Sequence, residues 1–153
     1  MDKQRCYFQD ISTGIGLLGL RLFLAWEFFE SGMEKLNGEN WFMEVQDSFP
    51  FPFNLLPADL SWLLAMGAEL LLPVLLILGL STRFSALSLA ILTVVAWYTV
   101  HADAGYNVCN NGYKMALIYL VALLPLLTQG AGMLSLDSLL QRKFSAIKWL
   151  KFI

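Results

Sequence analysis

Glu27, Glu30 and Glu34 fall at i, i+3 and i+7 of one apolar stretch, so a helix there would carry three carboxylates on one face. Lys35 closes that stretch, while His101, Asp103 and Lys114 cluster between two later apolar runs. If the helices gather, three carboxylates meet one imidazole and two ammonium groups at one end of the bundle. Carboxylates crowded in a low dielectric require cations or shared protons. Groups that take up and release protons are what redox and transport sites use. The competing reading is an ion-pair network that fixes helix register.

Two further charges lie deeper. Glu69 sits mid-stretch, and Pro73, four residues later, cannot donate to its carbonyl; a kink and a free acceptor are expected there. Arg21 lies about 10 Å in from the start of the first stretch by helix rise, which puts its long side chain within reach of Glu69. A structural Arg21–Glu69 pair is the default expectation, and a proton or ligand site around Glu69 the alternative. Arg83 and Asp137 read as a structural clamp.

These residues need long apolar elements to hold them. The chain has 153 residues, 58% hydrophobic and 14% charged, far too apolar for a soluble domain of this size. The spacing predicts an all-α integral membrane four-helix bundle with spans at 13–36, 59–80, 82–101 and 113–128. Charge inside such spans is costly, so its bearers usually face a bundle interior. Lys3, Arg5, Arg83, Arg142, Lys143, Lys148 and Lys151 share one set of ends, which by the positive-inside rule places both termini in the cytoplasm. The basic start reads as a retained first span, since no small-residue cleavage site follows it. The outer loop, 37–58, alternates Trp41, Phe42, Phe49, Phe51 and Phe53 with Pro50, Pro52 and Pro57, and is expected to cap the bundle. From Ser135, an N-cap, a basic amphipathic interfacial helix is expected over 135–153, with Leu136, Leu139, Leu140, Ile147 and Leu150 as its stripe. The lipid bilayer is thus the first partner; no basic stripe suggests nucleic acid.

Several chemistries are set aside. Cys6 and Cys109 fall on opposite sides of the membrane, so thiol–disulfide exchange, which passes through a mixed disulfide, lacks its pair. His101 is the only histidine, which excludes bis-histidine haem within one chain, and no metal site is assigned. Gly14, Gly16 and Gly19 spell G-x-G-x-x-G without a preceding strand, so helix packing explains them better than a nucleotide.

In their order these residues resemble the DoxX family of small four-helix bacterial membrane proteins. The resemblance rests on RLFLAWEFFESGMEKL from Arg21, GAELLLPVLLILGLSTR with Glu69, Gly79 and Arg83, then His101 and the closing GAGMLSLD, over roughly residues 14 to 138. It implies a bacterial inner-membrane protein, for some relatives a subunit of a quinone-coupled sulfur-oxidising complex, for others a component of stress-response complexes with soluble redox proteins. The expected function is accordingly a membrane subunit of a redox complex, with a protein partner or a second copy, holding a quinone at an outward polar pocket. Glu30, Glu69 and His101 form the catalytic set, the two carboxylates handling protons. Lys35 and Lys114 help orient a carbonyl or anionic group, Glu27 joins them in binding, and Arg21 tunes Glu69. A small-solute, proton or metal-species transporter and a scaffold for soluble partners are the alternatives.

Overall fold

The computed structural model describes residues 3–143, and side-chain surroundings from 8 to 140. All regular structure among the described residues is helical. α1 spans Lys3–Asn37, α2 Phe42–Val45, α3 Ala58–Leu78, α4 Thr82–Ala96, α5 Lys114–Gln129 and α6 Leu136–Lys143. Three helical stretches, Phe8–Asn37, Ala58–Leu78 and Thr82–His101, are long and apolar enough to cross a membrane; α5 is apolar but shorter. α1 packs on α3, α3 on α4, α4 on α5, and α5 back on α1, closing a ring.

Leu24, Leu76, Leu89, Leu123 and Leu126, all fully buried, fill its centre. The outer faces are apolar too: Trp26, Leu63, Leu71, Phe84, Leu87 and Val121 are all exposed. Monomeric soluble proteins rarely show so continuous an apolar surface, and here it is the face a bilayer covers. The chain is a membrane protein on this pattern together with the helix lengths.

α3, α4 with the turn that follows it, and α5 coincide within a few residues with the stretches expected at 59–80, 82–101 and 113–128, while α1 begins at Lys3 and so extends beyond the stretch expected at 13–36. No helix breaker lies between Lys3 and Thr13, so the helix continues through a polar start. α3 runs on through Pro73 without interruption. Gly79 ends it with φ +65, and its N–H returns to the Leu75 and Leu76 carbonyls. A left-handed residue at that position is where glycine carries no Cβ penalty. Gly14 packs against Met133 and Leu134, whereas nothing approaches Gly16 or Gly19 within 4 Å. Of the three glycines, then, only Gly14 serves close packing.

The loop between α1 and α3 does cap one end. Phe42 and Phe49 are buried with Ala58, against Val45, Phe53, Trp62, Ala65 and Val95. The Phe51–Pro52 peptide bond is cis. At the other end Ser135 Oγ accepts from the Ser138 N–H at 3.1 Å, capping α6 as its position predicted. Ile147, Lys148, Leu150 and Lys151, expected to continue that helix, lie outside the described residues.

Candidate functional site

Arg21 governs one end of the bundle. It is 1% exposed, and its guanidinium donates to the Ala131 carbonyl at 2.7 Å, Leu134 at 2.9 Å and Ile77 at 3.2 Å. Carbonyls near helix C-termini lack intrahelical donors and carry partial negative charge, so a buried cation is well placed among them. Asp137 supports the same end: its N–H donates to the Gly79 carbonyl, and its carboxylate accepts from the Ser81 and Thr82 N–H groups at 3.2 and 3.4 Å. It therefore caps α4 from outside that helix. Arg83 donates to the Thr128 carbonyl. Both residues are structural, as expected, although they clamp backbone and not each other.

The expected Arg21–Glu69 pair is not formed. Glu69 pairs with Lys35, whose Nζ donates to Oε1 at 3.0 Å and stands 2.8 Å from Oε2; Nζ also donates to Ser31 Oγ at 3.0 Å. The reason is helix register. α1 and α3 approach closely at Gly32, where an added Cβ would lie 3.0 Å from the Glu69 carbonyl carbon and from Leu70 Cδ2. Lys35 is one turn from that crossing, while Arg21 is about 16 Å away along the axis by helix rise. Lys35 is 13% exposed and Glu69 4%, and Oε2 has no aligned hydrogen-bond donor.

This pair lies in the wall of a cavity of about 800 Å³, enclosed by the C-terminal half of α1, the N-terminal half of α3, α4 with the π-helical turn Trp97–His101 that extends it, the start of α5 and the capping loop. Its size falls within the usual range of small-molecule sites, roughly 300 to 1,000 Å³. Phe28, Trp41, Phe42, Phe49, Trp62 and Tyr119 supply aromatic walls. Phe42 and Trp62 meet edge to face, with ring centroids 5.1 Å apart.

Glu27, Glu30, Lys35, Glu69 and His101 all line this one space. Tyr119 Oη donates to Glu27 at 2.5 Å, tying α5 to α1. Glu30 is exposed, and Glu34 and Glu39 add carboxylates to the same lining. His101 Nδ1 lies 2.7 Å from the Asn111 carbonyl. A carbonyl only accepts, so Nδ1 carries the proton and Nε2 of the neutral ring is an acceptor. Two expected members stand apart. Arg21 belongs to the opposite end, and Lys114 lies over the Tyr106 ring at 5.4 Å, outside the cavity. On α5 the lining residues are Met115, Ala116 and Tyr119, an i, i+1, i+4 face that position 114 misses.

Residues 16–102 match the sequence model of the DoxX family, more than half of the chain. The chain belongs to the DoxX family. An uncharacterized protein of Haemophilus influenzae is 65% identical over 148 residues, covering 97% of this chain and 98% of that relative. No solved structure matches. The residues that carry the DoxX resemblance fall into two groups in space: Arg21, Gly79 and the 130–137 segment form the carbonyl latch, and Gly32, Lys35 and Glu69 form the helix crossing beside the cavity.

Sequence reasoning passed over Ser31, Ser61 and Tyr119. Ser61, Ala65 and Glu69 follow i, i+4, i+8 on α3 and all line the cavity; the Ser61 hydroxyl is buried without a hydrogen-bond partner. The i, i+4 spacing of Ser31 from Lys35 was the available signal there. Tyr119 had none, because its partner is ninety-two positions away.

Proposed function

We propose that this DoxX-family protein crosses the bacterial inner membrane four times with both termini in the cytoplasm. In this reading it holds a quinone-type ligand in its outward-facing cavity, as the membrane subunit of a redox complex. The observation that carries the reading is an aromatic-walled space of about 800 Å³ bordered by the buried Lys35–Glu69 ion pair and an unpartnered Ser61 hydroxyl. In this reading a flat ring lies against the edge-to-face cluster of Phe42, Phe49 and Trp62, with Ser61 and Glu69 as polar residues of the same lining. Leu64 and Ile91 line the cavity and are also exposed, which gives an isoprenoid tail a route to lipid between α3 and α4. A bound quinone supplies coupled two-electron, two-proton exchange with the membrane pool. The chain's own part is to exclude water with the capping loop, to orient the ring, and to hold protons at Glu69 and Glu30. Electrons then come from a protein partner.

The topology is supported by the basic residues at the Arg21 end and by the acidic, aromatic character of the other. It predicts that Cys109, which is exposed, reacts with a membrane-impermeant maleimide in intact spheroplasts of a Cys6→Ser strain. Labelling only after lysis would reverse the orientation. For the ligand, quinone content and binding are compared in purified wild type, Glu69→Gln and His101→Ala. Absence of quinone binding in correctly folded wild-type protein would refute the reading.

A further inference from the structure

Charge in the lining of the cavity is one-sided. Five carboxylates line it: Glu27, Glu30 and Glu34 from α1, Glu39 just after that helix, and Glu69 from α3. The one ammonium, Lys35, is committed to Glu69, with Nζ 3.0 and 2.8 Å from the two carboxylate oxygens. Among the described residues that is the one ion pair, so no Lys or Arg among them pairs with the other four carboxylates. Tyr119 donates to Glu27, and Ser61 and the indoles of Trp41 and Trp62 bring donors to the lining without bringing charge.

The aromatic wall has the same electrostatic sign. Trp41, Phe42 and Trp62 all line the cavity and stand nearly perpendicular to one another. The angle is 73° between Trp41 and Phe42, 81° between Trp41 and Trp62, and 88° between Phe42 and Trp62. Three mutually perpendicular planes cannot all turn their rims in one direction, so a ligand meeting this cluster from the cavity meets a π-face. That face is the negative part of the ring quadrupole and attracts a cation.

We infer that the cavity binds an organic cation, an ammonium with an apolar body, whose charge is held jointly by the unpaired carboxylates and the Trp41–Phe42–Trp62 faces. This goes beyond the quinone reading and does not rest on it; the two ligands would share the aromatic wall and exclude one another. A small metal ion fits the space less well. Such ions demand a shell of oxygen or nitrogen ligands, and among the described residues no three of His, Cys, Asp or Glu stand together as one set. A substituted ammonium gives up its water more readily and is the cation that aromatic surfaces recognise.

The test is calorimetry on the full-length protein in an uncharged detergent, with matched micelle blanks. The probes are 3-hydroxyphenyltrimethylammonium, its neutral isostere 3-tert-butylphenol and the anionic 3-hydroxybenzenesulfonate. The cation is expected to bind about tenfold or more tighter than the isostere, and the sulfonate more weakly than either. Glu30→Gln/Glu34→Gln changes two exposed side chains, so the fold should persist. It should weaken the cation by about threefold or more and leave the isostere unchanged. Trp41→Leu, which removes one π-face, should also narrow the preference for the cation; should that variant not fold, the double carboxylate variant decides. Isostere or sulfonate binding as tightly as the cation overturns the inference, as does a cation preference that survives Glu30→Gln/Glu34→Gln undiminished. Absence of cation binding overturns it too and leaves the quinone reading to its own experiment.

Discussion

Replacing Lys35 with Met leaves the Glu69 carboxylate, 4% exposed, without the cation that offsets its desolvation. Removing one partner of a buried ion pair typically costs about 3–5 kcal/mol, whereas replacing both with apolar side chains of similar volume is often neutral or stabilising. The two single losses should differ. Lys35 is 13% exposed, sits near the end of α1 and keeps Ser31 as a partner, so its long side chain can swing toward water when Glu69 becomes Leu. Glu69 has no such route from the middle of α3. The expected order of stability is therefore wild type near Lys35→Met/Glu69→Leu, then Glu69→Leu, then Lys35→Met lowest. The coupling in this cycle should be at least about 2 kcal/mol, at the upper end for residues in direct contact. Reversible unfolding in mixed micelles, followed by circular dichroism, measures it. Additive single effects, or Glu69→Leu less stable than Lys35→Met, would refute the assignment of Glu69 as the buried, dependent member.

At the other end, Gly79→Ala places a Cβ 2.6 Å from Ser135 Cβ and 2.9 Å from Arg21 Nη1 on a residue with φ +65. The left-handed backbone alone costs about 1–2 kcal/mol, and the steric conflict adds to it, so the melting temperature should fall markedly. Asp137→Ala removes the acceptor for the Ser81 and Thr82 N–H groups and should cost about 0.5–2 kcal/mol, with Asp137→Asn intermediate, in the same unfolding assay. Gly32→Leu, at a crossing where even a Cβ has only 3.0 Å, should force α1 from α3 and separate Lys35 from Glu69, lowering ligand binding together with stability. Tyr119→Phe frees the Glu27 carboxylate while leaving the ring packed on Phe28, and should alter ligand affinity more than the melting temperature.

The apolar lengths made the helices legible, because a continuous apolar stretch of about 20 residues satisfies its own backbone in lipid as a helix, and the aromatic-proline pattern made the capping loop legible because such a segment seeks cover. The partner of Glu69 was not legible, for a reason of register. Depth counted from a presumed span end matched Arg21 to Glu69, yet α1 begins ten residues earlier than the span drawn for it, and the lateral match is set by where Gly32 lets two backbones meet. Lys114 failed by helix phase: it opens α5 as predicted, one position before the face that lines the cavity. His101 and Glu30 do reach the cavity, because an i, i+3, i+7 face and a helix end are properties of single elements. Pairings such as Tyr119 with Glu27 are properties of the closed ring, and no local pattern encodes them.

The two ends of the bundle differ in kind, and that difference argues for where the activity lies. At the Arg21 end three carbonyls and two N–H groups are held by charged side chains from other segments, and Gly79 leaves no room for more than a hydrogen. Such an arrangement fixes geometry, although Arg21 Nε and the Thr82 and Ser85 hydroxyls are buried there without hydrogen-bond partners. At the Lys35–Glu69 end the ion pair has an oxygen without an aligned donor, a serine hydroxyl without a partner and a space bounded by a loop of aromatic side chains. A fold that ties backbone to charged side chains at one end and opens an aromatic-walled cavity at the other places its binding capacity in the second.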